Sequence, residues 1–182
     1  MPNLEASFRA LRVLHAAKDL FTQHGFYIGI DRIVSEAKIP KATFYNYFHS
    51  KERLIQMSLT FQIDALKHEV LSIIHSYREL MAFDKLKKIY LLHANLDGFY
   101  RLPFKAIFEI EKLYSTAYKL VIDYRNWFIK EIHKLLLTVK ATATVEDAHM
   151  FLFVIDGAMV QLSGTNNTDE RDALLEYFLS RV

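Results

Sequence analysis

The sequence contains no cysteine among its 182 residues, which excludes a disulfide framework and a metal site built from thiolates. It has only three prolines and five glycines, so few residues interrupt helices. No apolar run approaches the ~20 residues of a membrane-spanning helix, and the longest, 150–162, contains Asp156 and Gly157. No apolar segment near the amino terminus resembles a signal peptide. We therefore expect an all-α, cytoplasmic protein with no membrane partner.

The motifs of common catalytic sites are also missing from the sequence. It has no H-E-x-x-H pair, no nucleophile elbow and no glycine-rich phosphate loop. His93 and Asp97 are one helical turn apart, but the spacing places no third ligand or base beside them. We therefore predict no catalytic residue, no metal site and no cofactor, with an all-α enzyme kept as an alternative.

The most informative segment of the chain is 28–54. Two short sets of apolar residues at helical spacing flank residues 38–40. Pro40 suits the first turn of the second helix, because its missing N–H would have no partner there. The sets are Ile30, Ile33, Val34 and Ala37, then Phe44, Tyr47 and Phe48. The segment predicts a helix-turn-helix unit, whose second helix can enter the major groove of DNA.

Signals on either side of this unit predict two further helices. Gly25 fits the position that follows a helix carboxyl terminus, and a helix precedes it. Ser50 fits the N-cap of a longer helix, whose apolar stripe runs from Ile55 to Tyr77. Together with the first helix, the unit closes a small three-helix core.

The charge distribution agrees with contact to DNA phosphates. The chain carries a formal net charge of +2. Residues 1–55 contain eight basic and five acidic side chains, a net +3, and the remainder carries −1. A basic excess on the reading domain is the electrostatic footprint that phosphate binding requires, although an excess of this size would not identify a DNA-binding protein by itself.

The order and spacing of these residues resemble the TetR (tetracycline-repressor-type) family of transcriptional regulators. The resemblance covers residues 5–60 and is carried by Gly25, by 31–34 and 37–39, and by the strings KATFYNYF at 41–48 and SKERL at 50–54. It implies double-stranded DNA as a partner and a set of contacting residues: Lys41, Ala42, Thr43, Tyr45, Asn46, Tyr47 and Lys51.

The resemblance also implies a role for each of these residues. Lys41, Thr43 and Asn46 would face base edges, and Ala42 would allow close approach of the backbone. Tyr45 and Tyr47 would reach phosphate or a thymine methyl group, and Lys51 would hold a phosphate at the start of the long helix. An alternative for the tyrosines is that one of them packs in the three-helix core. A second alternative is a protein-binding adaptor that keeps the helix-turn-helix shape without reading DNA.

Several positions depart from the usual family pattern. Gly29 replaces a common Ser or Thr cap of the second helix, Ala42 a common Gly, and His49 a common Pro. Lys38 stands at a turn position that is often Gly; a left-handed backbone there would cost on the order of 1 kcal/mol. None of these changes removes a predicted DNA contact.

The rest of the chain predicts a second, larger helical domain. We place the DNA-binding domain at 1–50 and an effector-binding and dimerisation domain at 51–182. Thr144 and Asp147 have the form of a capping box, which opens a helix at about 145–164 that is apolar almost all round; a last helix follows at 168–181. A helix that is apolar on every face must be covered on every side. We therefore predict a two-fold homodimer through these two helices, the alternative being the central helix of a monomeric bundle.

The larger domain is also rich in aromatic residues, with 14 Phe, 10 Tyr and 1 Trp in the whole chain. Some of them could line a pocket for a small apolar or aromatic effector, the alternative being core or dimer interface. The resemblance implies a ligand-responsive regulator, more often a repressor, whose effector releases DNA. The candidate ligand-binding residues are Tyr90, His93, Phe104, Phe108, Tyr114, Tyr118 and Trp127.

Overall fold

The computed structural model describes residues 4–75, 80–165 and 167–181, with side chains described from residue 8 onward. Within these ranges the backbone forms nine α-helices and no strand, which confirms the predicted all-α class. No helix within them is long and apolar enough to cross a membrane. The helices are α1 (Leu4–His24), α2 (Ile30–Glu36), α3 (Lys41–Phe48), α4 (Lys51–His75), α5 (Ala82–His93), α6 (Arg101–Glu109), α7 (Ser115–Leu137), α8 (Val145–Thr165) and α9 (Thr168–Leu179).

The predicted helix ends are confirmed by their hydrogen bonds. Gly25 follows α1 with φ +87°, and its N–H donates to Phe21 O at 2.9 Å. Ser50 Oγ accepts from the N–H of Arg53 at 3.0 Å, which caps α4. The stripe predicted for α4 can be followed to His75, since Tyr77 lies outside the described residues.

Ahead of α8, the side chains of Thr144 and Asp147 each accept from the other's N–H, at 3.3 and 2.8 Å. This is the reciprocal geometry of a capping box. The acid at the third position is an aspartate, yet its shorter side chain still reaches back to the Thr144 N–H.

Packing divides the chain into two compact units. The first comprises Met1–Gln62 and Leu102–Val121, and the second comprises Ile63–Arg101 and Ile122–Val182. The first unit therefore includes α1 to α3 and most of α6. The domain boundary that we place at 50/51 falls at the start of α4 and stays a prediction.

The core of the first unit is built around α1, α2 and α3. Its largest fully buried side chains are phenylalanines, of which Phe21 and Phe26 stack with ring centroids 5.0 Å apart. Phe44 and Phe48 of α3 are both 0 % exposed and lie 5.5 Å apart. Because α2 and α3 have only seven and eight residues, they depend on this packing for stability.

The core of the second unit is a run of aromatic contacts between α5, α7, α8 and α9. Phe151 of α8 contacts Tyr90, Phe128 and Phe178, at 6.4, 6.3 and 5.3 Å between ring centroids. Phe128 also contacts the His93 ring at 4.5 Å. Aromatic residues of the larger domain thus pack against one another as its core.

Candidate nucleic-acid interface and candidate ligand site

The short helix α3 separates a buried face from an exposed one. Phe44 and Phe48 are 0 % exposed and anchor the helix in the core. The other face carries the side chains predicted to contact DNA: Lys41, Ala42, Tyr45 and Asn46 are exposed, and Thr43 and Tyr47 are half-buried. The structure therefore gathers these six residues on one short, outward-facing helix, while their individual contacts to DNA stay predictions.

The two tyrosines of α3 differ in their surroundings. Tyr45 is 42 % exposed and meets the ring of Phe44 edge-on at 5.2 Å. Tyr47 is half-buried and meets Phe48 edge-on at 6.3 Å. Both rings rest on core phenylalanines, so each can serve the core and the outer face together.

Lys41 is held by an acid of the preceding helix. Its Nζ lies 2.7 Å from Asp31 Oδ1. The hydrogen bond and the charge of this carboxylate raise the pKa of Lys41 above its ordinary value. The resemblance includes Asp31 but gives it no role, although its position ten residues before Lys41, on the neighbouring helix, is visible once the helix-turn-helix is recognised.

Lys51, the predicted phosphate contact, begins α4 directly after the Ser50 cap. Its Nζ lies 5.6 Å from the centroid of the Tyr114 ring, a cation–π arrangement. Tyr114, one of the predicted ligand-binding residues, is therefore a neighbour of a predicted DNA contact within the first unit.

The turns on both sides of α3 have a left-handed backbone at non-glycine residues. Lys38, before it, has φ 53°. A lysine in place of the common glycine therefore costs about 1 kcal/mol there, because its backbone is left-handed. His49, after it, has φ 61° and ψ −37°, and across it the Ser50 N–H donates to Phe48 O at 2.6 Å. This is a tight γ-turn of the strained kind, and a proline, with φ near −65°, could not occupy it. Nothing in the sequence signals this strain.

The turn between α1 and α2 is clamped by two residues of α6. Glu109 Oε2 accepts from the Phe26 N–H at 2.8 Å, and Lys105 Nζ donates to Thr22 O at 3.2 Å. The two side chains are 3.6 Å apart as an i,i+4 ion pair. A cation therefore satisfies a carbonyl in the last turn of α1, and an anion satisfies the amide of Phe26, two residues beyond the helix.

The seven predicted ligand-binding residues do not fall in one unit. Tyr90, His93 and Trp127 belong to the second unit, whereas Phe104, Phe108, Tyr114 and Tyr118 belong to the first. Phe104 is buried, whereas Phe108 is 70 % exposed; their ring centroids are 5.3 Å apart. Their predicted role in binding a ligand stays a prediction, and the structure shows the packing role of several of them.

His93 is a satisfied core histidine. It is 0 % exposed; its Nδ1 is 2.7 Å from Ile89 O and its Nε2 is 2.6 Å from Tyr124 Oη. A neutral ring that donates from Nδ1 and accepts the tyrosine hydroxyl proton at Nε2 satisfies both contacts. Burial lowers the pKa of His93 to about 4, which keeps the ring neutral.

The other two predicted ligand-binding residues of the second unit also contact other protein groups. Tyr90 is 0 % exposed and its hydroxyl donates to Arg171 O at 2.6 Å. Trp127 stacks on Tyr124 at 5.7 Å, and Lys67 Nζ lies 5.5 Å from its ring. The Tyr90 hydrogen bond joins α5 to α9, and the Trp127 contacts lie on α7 and between α7 and α4.

A charged network that sequence reasoning missed lies between α7 and α8. Arg125 forms a bidentate pair with Asp156, with N–O distances of 3.0 and 2.6 Å. The same guanidinium donates to Tyr100 Oη at 2.6 Å, and that hydroxyl donates to Asp156 at 3.0 Å. This explains an aspartate in the middle of an apolar helix: it is paired and hydrogen-bonded. Among the described residues, no group of three or more metal-ligating side chains is placed to hold a metal ion.

The buried core under α3, its exposed polar face and the flanking α1 and α4 have the arrangement of the helix-turn-helix domains that bind DNA, and a further helical unit is joined to it. Residues 13–56 match the family described as bacterial regulatory proteins of the tetR family. None of the curated proteins compared with the chain matches it.

Solved structures share the fold over almost the full chain. A TetR-family transcriptional regulator from Streptomyces coelicolor is 25% identical, with a TM-score of 0.79 over 96% of this chain and 92% of that one. A TetR transcriptional regulator from Legionella pneumophila is 15% identical, with a TM-score of 0.82 over 94% and 95%. A TetR-family regulator from Agrobacterium tumefaciens is 16% identical, with a TM-score of 0.81 over 97% and 98%. The matched segment spans the helix-turn-helix and is similar to the tetR family, and the chain has the fold of solved TetR-family transcriptional regulators.

Proposed function

We propose that this protein is a homodimeric, ligand-responsive repressor that binds a palindromic operator and is released from it by a small effector. The observation that carries the DNA-reading part is α3, whose core side is fully buried while Lys41, Tyr45 and Asn46 are exposed. A lysine can donate to guanine and an asparagine can pair with adenine. The adaptor alternative has no need of such a face.

Lys41 would have to exchange Asp31 for DNA on binding. Both side chains of this 2.7 Å pair are exposed, Lys41 by 52 % and Asp31 by 81 %, so solvent can separate them readily. Thr43 would read a base edge beside Lys41, and Ala42 would let the helix approach closely. Tyr45 and Tyr47 would contact phosphate or a thymine methyl group, and Lys51 would contact a phosphate.

The homodimer is supported by the outer face of α8. Its inner face is buried, but Met150, Phe153 and Val160 are 52, 56 and 60 % exposed. Gly157 lies on the same face, between Phe153 and Val160, and a Cβ added there would meet nothing within 4 Å. A glycine inside a helix costs about 0.5–1 kcal/mol, which is understandable where a second backbone packs closely.

The surface continues onto α9. A cleft there is lined by Gly157, Gln161, Ala173, Leu174 and Tyr177, together with Glu170, and Tyr177 is 65 % exposed. Two copies that bury α8 and α9 against each other would form a four-helix interface with two-fold symmetry. The two α3 helices would then read half-sites about one helical turn apart or slightly more.

Release by an effector is supported by the clamp on the α1–α2 turn. Lys105 and Glu109 lie on α6, and Arg101, at the start of the same helix, belongs to the second unit. A ligand that binds one arrangement of these helices more tightly, typically by 1–3 kcal/mol, would shift the population of DNA-binding dimers.

DNA reading is tested by selecting bound sequences from a random DNA library. Lys41→Ala/Asn46→Ala is compared with the parent protein and with Lys119→Ala/Asn126→Ala, which removes an exposed lysine and asparagine of α7. We expect the parent and the control to enrich the same palindrome and the α3 variant to lose it. Enrichment by all three proteins, or a single unrepeated half-site, would contradict the proposal.

Dimerisation is tested by sedimentation with Phe153→Asp/Val160→Asp. The control is Leu113→Asp, since Leu113 is 56 % exposed in the loop between α6 and α7. We expect the α8 variant alone to sediment as a monomer. A dimer that survives the α8 substitutions would refute this interface.

A further inference from the structure

The second unit contains a cleft that the aromatic residues predicted from the sequence do not line. It has a volume of about 680 Å³ and lies between the end of α4, the start of α5 and the last turns of α7. This volume is within the range of small-molecule sites. The predicted candidates Tyr90 and His93 are instead fully buried in the adjacent core.

The cleft combines an apolar wall with a few charged groups at its edge. Ile74, Leu80 and Leu135 line it, together with Met81 and Phe83, which are 72 and 40 % exposed. Both side chains can pack over a ligand at the mouth of the cleft. The methionine side chain is flexible, and the phenylalanine ring offers a flat apolar surface.

The charged side chains at the cleft differ in whether they already have an ion-pair partner. Glu131 is already paired with Lys134 at 2.7 Å. Lys85 forms no ion pair with the described part of the chain, and its Nζ donates to the backbone at Ile74 O, 2.7 Å away. An ammonium group has three donors, so Lys85 keeps donors for an anionic group while it stabilises the end of α4.

We propose that this cleft is the effector site, and that it takes a small amphiphile with an apolar body and a single anionic head group, such as a medium-chain carboxylate. The apolar body lies against Ile74, Phe83 and Leu135, and the head group pairs with Lys85. This assignment rests on the proposed ligand responsiveness, but binding to the cleft is measurable without DNA.

The experiment is calorimetric titration of the full-length protein with three probes that share a ten-carbon alkyl group. The probes are decanoate, 1-decanol and decyltrimethylammonium, each below its aggregation concentration. We expect decanoate to bind one per chain and the cationic probe to bind at least tenfold more weakly. Lys85→Met should weaken decanoate about tenfold or more, as expected for loss of a charged hydrogen bond, and leave decanol nearly unchanged.

Two further variants separate binding at the cleft from general effects. Lys130→Met removes an exposed lysine of α7 that does not line the cleft, and it should bind decanoate like the parent. Ala82→Trp should fill the cleft and weaken decanoate and decanol alike. Circular dichroism before and after titration confirms that each variant is folded and that decanoate does not unfold it.

Equal binding of all three probes, decanoate binding that ignores both Lys85→Met and Ala82→Trp, or no binding at all would each overturn the assignment. A separate operator-release assay tests the proposed function. Lys85-dependent binding without release supports the cleft as a binding site and refutes its effector role. If another compound releases the operator without affecting decanoate binding, the protein is still a ligand-responsive repressor, but the cleft is not its effector site.

Discussion

His93 should make the stability of this protein depend on pH in a way that can be assigned to one residue. Its ring is 0 % exposed, and burial lowers its pKa from 6.5 to about 4. Between these values the unfolded chain takes up a proton that the folded chain does not. The stabilisation is therefore complete above pH 6.5, is lost as the pH falls from 6.5 to about 4, and does not change further below that.

The magnitude follows from the two pKa values. Each pH unit between them changes the free energy of unfolding by up to about 1.4 kcal/mol. Lowering the pH from 7 to 5 should therefore remove about 2 kcal/mol through His93 alone. Titration of carboxyl groups adds to the loss mainly at lower pH, so the comparison is made above pH 5.

The assay is urea unfolding at fixed protein concentration at several pH values between 7.5 and 5. The test variant is His93→Phe/Tyr124→Phe, which removes the histidine and the hydroxyl that it accepts from. The control is His68→Gln, whose side chain is 81 % exposed. We expect the double variant to lose about 2 kcal/mol less than the parent over this range, and the control to behave like the parent. Equal losses in the parent and the double variant would refute a neutral, buried His93.

Three further substitutions test the DNA-reading unit. Asn46→Ala should cost about 1–3 kcal/mol of operator binding and relax the preference at one base pair, measured by binding to a set of singly substituted operators; an equal loss on every sequence would limit Asn46 to phosphate contact. Lys51→Met should weaken binding uniformly and lower the slope of log affinity against log salt by about 0.9, one phosphate contact, and an unchanged slope would remove Lys51 from the interface. His49→Gly should raise the free energy of unfolding by about 1 kcal/mol because it relieves a left-handed backbone, whereas His68→Gly within α4 should lower it by a similar amount; destabilisation by both would contradict the strained turn.

The sequence predicted those features that depend on near neighbours. Ser50 caps α4 through an N–H three residues away, and Thr144 and Asp147 close their box over the same distance. The four-residue spacing of Phe44 and Phe48, with polar residues between them, predicted which side of α3 is buried. Such patterns are read directly because hydrogen-bond partners and helix faces repeat within one or two turns.

The aromatic residues show where composition is insufficient. An abundance of rings predicts a pocket and a core equally well, because the same side chains line both. His93 is satisfied by Tyr124, 31 residues away, and contacts Phe128, so the group chosen as a ligand handle is enclosed by its own core. The cleft at Lys85 has no such concentration of rings. Its walls come from the ends of three helices, and their meeting is a property of the fold.

The α1–α2 turn shows how a correct local prediction can still be incomplete. Gly25 is predicted as a helix-terminating glycine, and its φ of +87° agrees. The fold adds a second requirement, because a Cβ at this position would lie 2.7 Å from Glu109 Oε2, the atom that accepts from the Phe26 N–H. The glycine therefore lets the backbone turn and also lets a carboxylate 83 residues beyond Phe26 reach the Phe26 N–H. A family pattern that contains this glycine can be explained by the turn alone, so the sequence provides no reason to look for the acid. Contacts of this length form only when α6 packs on the turn, so no pattern of neighbouring residues can reveal them.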